Sequence, residues 1–387
     1  MKKKIAILGS TGSIGKTLLN IINQDKKKFE IKLLTANANY KKLLKQANQF
    51  NVKNIIITNK KSFLELKKIN KNKKIKIFNN FDCLDKIFNK KIDYVMSSII
   101  GIQGLLPTFK IIKFTKNIAI ANKESIICGW KLIEKELKKN KTLFVPVDSE
   151  HFSLWYGLNK IKVEKVEKFY LTASGGSLYK TPLNKFRNIN KSFVLNHPNW
   201  KMGKKITIDS ATMINKVFEV IEAKNIFNIS YKQIKILIHP SSYVHALIKL
   251  NNGITKIIIH DTNMKIPIFN SLYLNNSKKL LSKNLDIKTL NNLAFNNVDK
   301  KKYPMINILN FLPKNHSLFE TLIVSANDTL VELFLADKIK FNDIYKMLMK
   351  ILTLKEFIKL KKKSPHSIKE ILDLDNYVRL KIIKKSI

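Results

Sequence analysis

The chain is 387 residues long and carries 72 lysines and arginines against 28 aspartates and glutamates, a formal charge of +44. With 45% apolar and 26% charged residues it can bury a sizeable core, which excludes wholesale disorder, a collagen-like repeat and a small disulfide-stapled scaffold, and its length suits two or three domains of roughly 100–200 residues. A positive excess of this size invites nucleic acid or an anionic membrane, but it is almost entirely lysine, with Arg187 and Arg379 the only arginines; lysine, asparagine and isoleucine are inflated together, so a compositional bias is expected and neither partner is.

Along the first third, short β-branched runs alternate with helical stretches. Lys4 to Leu8, Glu30 to Thr35, Asn54 to Thr58, Asp93 to Ser97, Asn117 to Ala121 and Thr142 to Val147 read as buried strands, and the alternation predicts a parallel, doubly wound sheet. The segment from Asn59 to Lys76, rich in lysine and asparagine, reads as a solvated loop or surface helix. The first strand runs into Gly9-Ser10-Thr11-Gly12-Ser13-Ile14-Gly15 and then a helix to about Ile22. Such a glycine turn lets backbone approach a pyrophosphate while the helix N-terminus offers its N–H groups, so a Rossmann-like dinucleotide site is expected. The second strand ends in Thr35-Ala36-Asn37-Ala38-Asn39, followed by Lys41 and Lys42. No carboxylate stands where a ribose 2′-hydroxyl is usually bound, which favours NADPH over NADH.

Strand Thr142 to Val147 delivers Asp148-Ser149-Glu150-His151 at its C-terminal end. Two carboxylates around a hydroxyl, at the edge of a parallel sheet where ligands collect, suit a hard divalent cation. Beyond it, Val166 to Leu171, Ile234 to His239, Val244 to Leu250 and Ile254 to Ile259 look like strands among polar loops, predicting a central α+β domain. Within it, Ser174-Gly175-Gly176 resembles an oxyanion or phosphate turn, and His197-Pro198-Asn199-Trp200-Lys201-Met202-Gly203 reads as a loop that places an aromatic wall over a ligand while His197 binds an anion. In Asp209-Ser210-Ala211-Thr212-Met213-Ile214-Asn215-Lys216-Val217-Phe218-Glu219, Ser210 reads as a helix N-cap, with Asn215 and Glu219 sharing a face one turn apart. That face can offer an amide and, from adjacent Lys216, an ammonium to a phosphate, and a third carboxylate to the cation. Asn315 to Ala336, Asn342 to Lys361 and Ser367 to Leu372 have helical periodicity and predict a C-terminal helical domain. The expected division is 1–148, dinucleotide binding; 149–274, catalytic; 275–298, connector; and 299–387, helical.

Two cysteines, Cys83 and Cys128, without a C-x-x-C, suggest neither a disulfide framework nor a thiolate zinc site, and a reducing cytoplasm fits best. The lysines at positions 2–4 precede too short an apolar run for a signal peptide. The longest uncharged stretch, Tyr94 to Phe109, is short of the roughly 20 apolar residues of a membrane span.

Taken together, Gly9 to Gly15, Ala121-Asn122-Lys123-Glu124-Ser125, Pro146 to His151, Ser174 to Gly176, His197 to Gly203, Asp209 to Lys216 with Glu219, His239-Pro240-x-Ser242-x-Val244-His245 and Ser325-Ala326-Asn327-Asp328 occur in order. This series closely resembles the 1-deoxy-D-xylulose 5-phosphate reductoisomerase family over essentially the whole chain. The resemblance implies a two-stage reaction on one divalent cation, Mg2+ or Mn2+. The sugar-phosphate skeleton rearranges to a branched aldehyde, which NADPH then reduces to 2-C-methyl-D-erythritol 4-phosphate, in the non-mevalonate route to isoprenoid precursors.

By position, it implies Asp148, Glu150 and Glu219 as metal ligands, and Lys123 and Ser149 near the reacting end of the substrate. Ser174, His197, Ser210, Asn215 and Lys216 would hold the phosphate and nearby hydroxyls. Thr11, Gly12, Ser13, Ile14, Asn37, Ala38, Asn39, Asn122, Glu124 and Gly203 would line the NADPH site, and Trp200 and Met202 would belong to a closing lid. A homodimer is also implied. Three departures stand out: Ala38 where a basic residue is common, Ser177-Leu178 where Pro-Phe commonly follows the glycine turn, and Asp328 in place of an expected glutamate. The nearest alternative is another NADP-dependent Rossmann oxidoreductase acting on a phosphorylated aldehyde or ketose.

Overall fold

The computed structural model describes every residue except 72–73, 201, 275–277, 283, 285 and 387. The described residues form two compact units. The first comprises Met1–Ser125, Lys131–Asp148 and Met264–Leu280, the second Ile126–Trp130, Ser149–Asn263 and Leu281–Ile387.

The first unit is built on seven strands: β1 (Lys3–Leu8), β2 (Phe29–Ala36), β3 (Asn54–Ile57), β4 (Lys76–Phe78), β5 (Tyr94–Ser97), β6 (Asn117–Ile120) and β7 (Leu143–Pro146). Their order in the sheet is β4-β3-β2-β1-β5-β6-β7, and every pairing is parallel. A parallel sheet covered on both faces demands continuous apolar strands, and Ile5, Ala6, Ile7 and Leu8 of β1 are all fully buried. Around them pack Leu18, Ile21 and Ile22 of the helix Ser13–Asn23, together with Ile268, Phe269, Leu272 and Tyr273 of the helix Lys265–Tyr273 from much later in the chain. The sheet order reverses between β1 and β5, the topological switch point where ligands bind in doubly wound folds. Gly9 (φ +83°) lies there, so close to β5 that a Cβ on it would come 2.7 Å from the Ser98 carbonyl oxygen.

One detail here differs from the sequence reading, the edge strand β4. The 59–76 segment contains a surface helix, Lys60–Ile69, which Asn59 caps by accepting the Ser62 backbone N–H, and then leads into the edge strand β4. That strand is only three residues long and only partly buried, so it carries no apolar run to betray it.

The second unit has a five-stranded mixed sheet made of β8 (Val166–Ala173), β9 (Ile234–Ile238), β10 (Val244–Leu250), β11 (Thr255–Ile259) and β12 (Asn296–Asn297), in the order β11-β10-β8-β9-β12. β8 and β9 run parallel and the other pairs antiparallel. Phe169, Leu171, Ala246 and Ile248 project from it onto Leu154 of the helix Ser149–Gly157 and Val220 and Ala223 of the helix Ile214–Phe227. The C-terminal part of this unit is helical. Its central helix, Leu318–Leu335, is buried along almost its whole length and packs against Phe341–Leu352 and Ile368–Ser386. A parallel Rossmann-like sheet, a second α+β sheet and a C-terminal helical region are thus all present. Among the described residues, no helix is long and apolar enough to cross a membrane.

Candidate active site

At the switch point of the first unit, the helix Ser13–Asn23 begins after Gly12 with no side-chain cap. Its first N–H groups are therefore available to an anion, and Thr11, Gly12, Ser13 and Ile14 surround them. Gly15 is required for a second reason: a Cβ there would sit 2.6 Å from the Gly9 carbonyl oxygen. Asn37, Ala38 and Asn39 lie exposed beyond the end of β2. Asn39 caps the next helix by accepting the Lys42 N–H, and Asn37 accepts from Thr58. Asn122 caps the helix Lys123–Lys139 through the Ser125 N–H and spends its amide on the Ile99 and Gly101 carbonyls. Its amide also reaches the buried Glu124 carboxylate. Lys123, released at the end of β6, lies 3.2 Å from Asp148, released after β7. Adjacent parallel strands thus bring an ammonium and a carboxylate together.

In the second unit, the helix Ser149–Gly157 carries Glu150 and His151 in its first turn. The next acidic contributor arrives on the helix Ile214–Phe227. Before it, the helix Lys204–Thr212 is broken by Met213 in the left-handed conformation (φ 67°). Ser210 therefore lies inside the last turn of the first helix rather than capping the second, which corrects the sequence reading: the chain bends at Met213, three residues later than the N-cap pattern suggests. The expected pairing across one helical turn is present, with the Asn215 amide donating to Glu219.

Lys216 is the centre of this cluster. Its ammonium pairs with Glu150 at 2.8 Å and with Glu219, and its side chain is only 5% exposed. Burial works to lower the Lys216 ammonium, but the two carboxylates outweigh it and the net shift is upward. Ser149 donates to the other Glu150 oxygen. A buried carboxylate, Glu219, and a half-buried one, Glu150, with converging oxygens form a donor set that fits a hard divalent cation, and the ammonium between them offsets their negative charge.

Ser174 and His197 form a second group. His197 Nδ1 accepts the backbone N–H groups of Asn199 (3.1 Å) and Trp200 (3.0 Å), so in the neutral ring the proton sits on Nε2. Nε2 then donates to Ser174 Oγ at 3.0 Å, which also accepts the Gly176 N–H. With both acceptor positions taken, the Ser174 hydroxyl has its own proton to give. Burial pushes the His197 imidazole below its ordinary value, favouring this neutral form. The expectation that His197 itself binds the anion thus changes: both ring nitrogens are engaged within the protein, and its reach toward a ligand runs through Ser174. Gly176 (φ +65°) packs so tightly that a Cβ would lie 2.9 Å from the Ser210 carbonyl oxygen. The glycine turn and the Ser210 helix end are therefore in direct contact.

Trp200 is half-buried and stands edge-on to His245, 6.1 Å between ring centres. It is not a core residue. Asn199 ties the same loop to Pro240 and Ser242. Lys201 of this motif lies outside the described residues, while Met202 and Gly203 precede the helix Lys204–Thr212. Sequence reasoning missed Glu222, which is buried with its carboxylate 3.9 Å from His151 Nδ1. Its position three residues after Glu219, on the same helix face, was the available signal.

Residues 5–129 match the family described as 1-deoxy-D-xylulose 5-phosphate reductoisomerase. Residues 144–227 and 260–381 match the two C-terminal domains of the same enzyme. The chain is 62% identical, over the full length of both, to 1-deoxy-D-xylulose 5-phosphate reductoisomerase of Pelagibacter ubique. It is 38% identical to that of Clostridium kluyveri, covering 88% of this chain and 90% of the relative. Among solved structures, the Zymomonas mobilis reductoisomerase in complex with NADPH superimposes with a TM-score of 0.88 at 28% identity, over 100% of this chain and 99% of that one. A reductoisomerase in complex with NADPH, fosmidomycin and magnesium superimposes with a TM-score of 0.89 at 30% identity, over 99% and 98%.

Proposed function

The chain belongs to the 1-deoxy-D-xylulose 5-phosphate reductoisomerase family, and on that premise we propose how its residues divide the work. The activity is the NADPH- and divalent-metal-dependent rearrangement and reduction of 1-deoxy-D-xylulose 5-phosphate to 2-C-methyl-D-erythritol 4-phosphate. Its cofactors are NADPH and Mg2+, with Mn2+ a chemically equivalent occupant of an all-oxygen site.

Asp148, Glu150 and Glu219 would hold the cation, which supplies Lewis acidity toward adjacent carbonyl and hydroxyl oxygens. Lys123 and Ser149 face the reacting end of the substrate, Lys123 as an ammonium kept in place by Asp148. Ser174 donates its free hydroxyl proton to the phosphate, oriented by His197 and the Gly176 N–H. Ser210, Asn215 and Lys216 complete the anion site. Thr11 to Ile14 and the uncapped helix behind them take the pyrophosphate. Asn37, Ala38 and Asn39 flank the adenosine ribose, while Asn122, Glu124 and Gly203 serve the rest of the cofactor. Trp200 and Met202 close over the substrate and keep water from the aldehyde stage.

The observation that carries this reading is the buried Glu150–Lys216–Glu219 cluster, where acids scarce in the chain converge on one cation position. Two further assignments rest on the same family premise. A homodimer is supported by the edge strand β11, which carries exposed Ile257 beside exposed Ile254. A reducing cytoplasm is supported by two buried thiols, Cys83 and Cys128.

The test follows NADPH oxidation by absorbance with 1-deoxy-D-xylulose 5-phosphate, with and without EDTA, for the native chain and for Glu219→Gln. The native chain is expected to lose turnover with EDTA and regain it with Mg2+. Glu219→Gln should lose about 100-fold in turnover while binding NADPH as before. Full turnover by Glu219→Gln at saturating Mg2+ would remove Glu219 from the metal site.

A further inference from the structure

Behind the Ser210 helix end lies a polar network that the reaction itself does not call for. Lys205, in the first turn of the helix Lys204–Thr212, places its ammonium 3.1 Å from Asp209 and 2.9 Å from Asp328. Asp209 is one helical turn further along the same face and its side chain is 2% exposed. Its other carboxylate oxygen accepts the Asn327 amide at 2.9 Å. Asp328 in turn faces Arg379 of the terminal helix, 3.5 Å away, and Arg379 is itself bound through Nε to both oxygens of Asp375 at 3.0 Å. The Lys205 ammonium also lies over the ring of Phe218, 5.5 Å from its centre.

Filling such a helix interface with apolar side chains would serve stability as well or better, since buried ion pairs repay their desolvation poorly. What they add is direction. Asp209 is fixed from two sides by Lys205 and Asn327, and the next residue is Ser210, whose carbonyl touches the Gly176 turn. The orientation of the helix end therefore determines where both Ser210 and the Ser174–Gly176 turn stand.

We propose that Lys205 is a positioning residue: by clamping Asp209 to Asp328 it sets the last turn of its helix, and with it Ser210 and the Ser174 turn, in register to bind a phosphate monoester dianion. The proposal rests on the reading of Ser174 and Ser210 as phosphate contacts. Lys205 touches no substrate atom in this account. It acts on affinity for the phosphorylated substrate, and the nicotinamide cofactor and the bond-making steps are not its concern.

The experiment compares Lys205→Met, Lys205→Arg, Asp328→Asn and Ser210→Ala in the full chain. It measures KM for the sugar phosphate, KM for NADPH, kcat and the melting temperature, and titrates inorganic phosphate calorimetrically. Lys205→Met should raise KM for the sugar phosphate and weaken inorganic phosphate binding by about tenfold, since small displacements of positioning groups are felt strongly. Its kcat and its KM for NADPH should stay within about twofold. Lys205→Arg should recover most of the loss, and Asp328→Asn should reproduce part of it in a chain that still melts cooperatively. Equal losses in all three kinetic parameters for Lys205→Met, or unchanged phosphate binding in Asp328→Asn and Lys205→Met alike, would overturn the proposal. Ser210→Ala separates the two readings: if it leaves phosphate binding intact, the phosphate assignment fails; if it weakens binding and the Lys205 variants do not, only the positioning role fails.

Discussion

His197 shows how much of a residue's chemistry is decided by its immediate neighbours. Protonating Nδ1 would set a third donor against the Asn199 and Trp200 N–H groups, so the loop geometry and the neutral ring require each other. Burial lowers the His197 pKa from its ordinary 6.5. The linkage follows: a depressed folded pKa means that the loop contacts are fully supported above about 6.5 and are lost as pH falls through the lower, folded value. In a histidine NMR titration of the apo chain, His197 is expected to show an unprotonated Nδ1 at neutral pH and a midpoint below 6.5. An Nδ1–H tautomer, or a midpoint above 6.5, would contradict the arrangement. The residue types were legible in the sequence: Ser174, His197, Glu150 and Glu219 all stand in recognisable motifs. The direction of their hydrogen bonds was not, because it depends on which backbone N–H the fold turns toward a ring nitrogen.

At the scale of elements, the buried helix Leu318–Leu335 illustrates a cap with a cost. Ser317 and Glu320 form a capping box, ordinarily a stabilising device. Here Glu320 is fully buried, and desolvation raises its pKa to about 7 against the ordinary 4.5. A carboxyl with a raised folded pKa contributes stability that is complete below its unfolded value and is lost as pH rises through the folded one. Glu320→Gln keeps an acceptor for the Ser317 N–H, so it should flatten the decline in stability between about pH 4.5 and 7. At pH 8 it should melt higher than the native chain; an unchanged or lower melting temperature there would contradict a buried, neutral-preferring carboxyl. The strands of both sheets were readable from their apolar runs, often to within a residue. Two elements were not. β4 is too short and too exposed to show a pattern, and so is the two-residue, exposed β12, which falls within the expected connector. Equally hidden was the return of Lys265–Tyr273 to the first sheet, since an apolar helical face looks the same whichever sheet it covers.

For the whole molecule, the positive excess is less a binding signal than a background against which the acids stand out. The 28 carboxylates supply the buried partners of Lys216, Lys205 and Arg379, and several lie at the positions where a cation or a helix end must be held. The same scale carries the question of assembly. Among the described residues, β11 ends its sheet with one side unpaired and presents Ile257 and, just before the strand, Ile254 to the surroundings. A pairing edge with apolar side chains is a natural place for a second copy. If the proposed homodimer forms through this edge, the native chain sediments as a dimer at micromolar concentration and Ile257→Lys as a monomer, with the far-ultraviolet circular dichroism unchanged; a native chain that sediments as a monomer would overturn the dimer itself. A variant that remains a dimer would place the contact elsewhere.

The contact of Gly176 with Ser210 has a consequence for how this chain can change. Any side chain at Gly176 would need a positive φ and would also push against the Ser210 and Ala211 backbone. A population under pressure from an inhibitor that imitates the substrate's anionic end therefore finds no escape by a substitution at Gly176 itself.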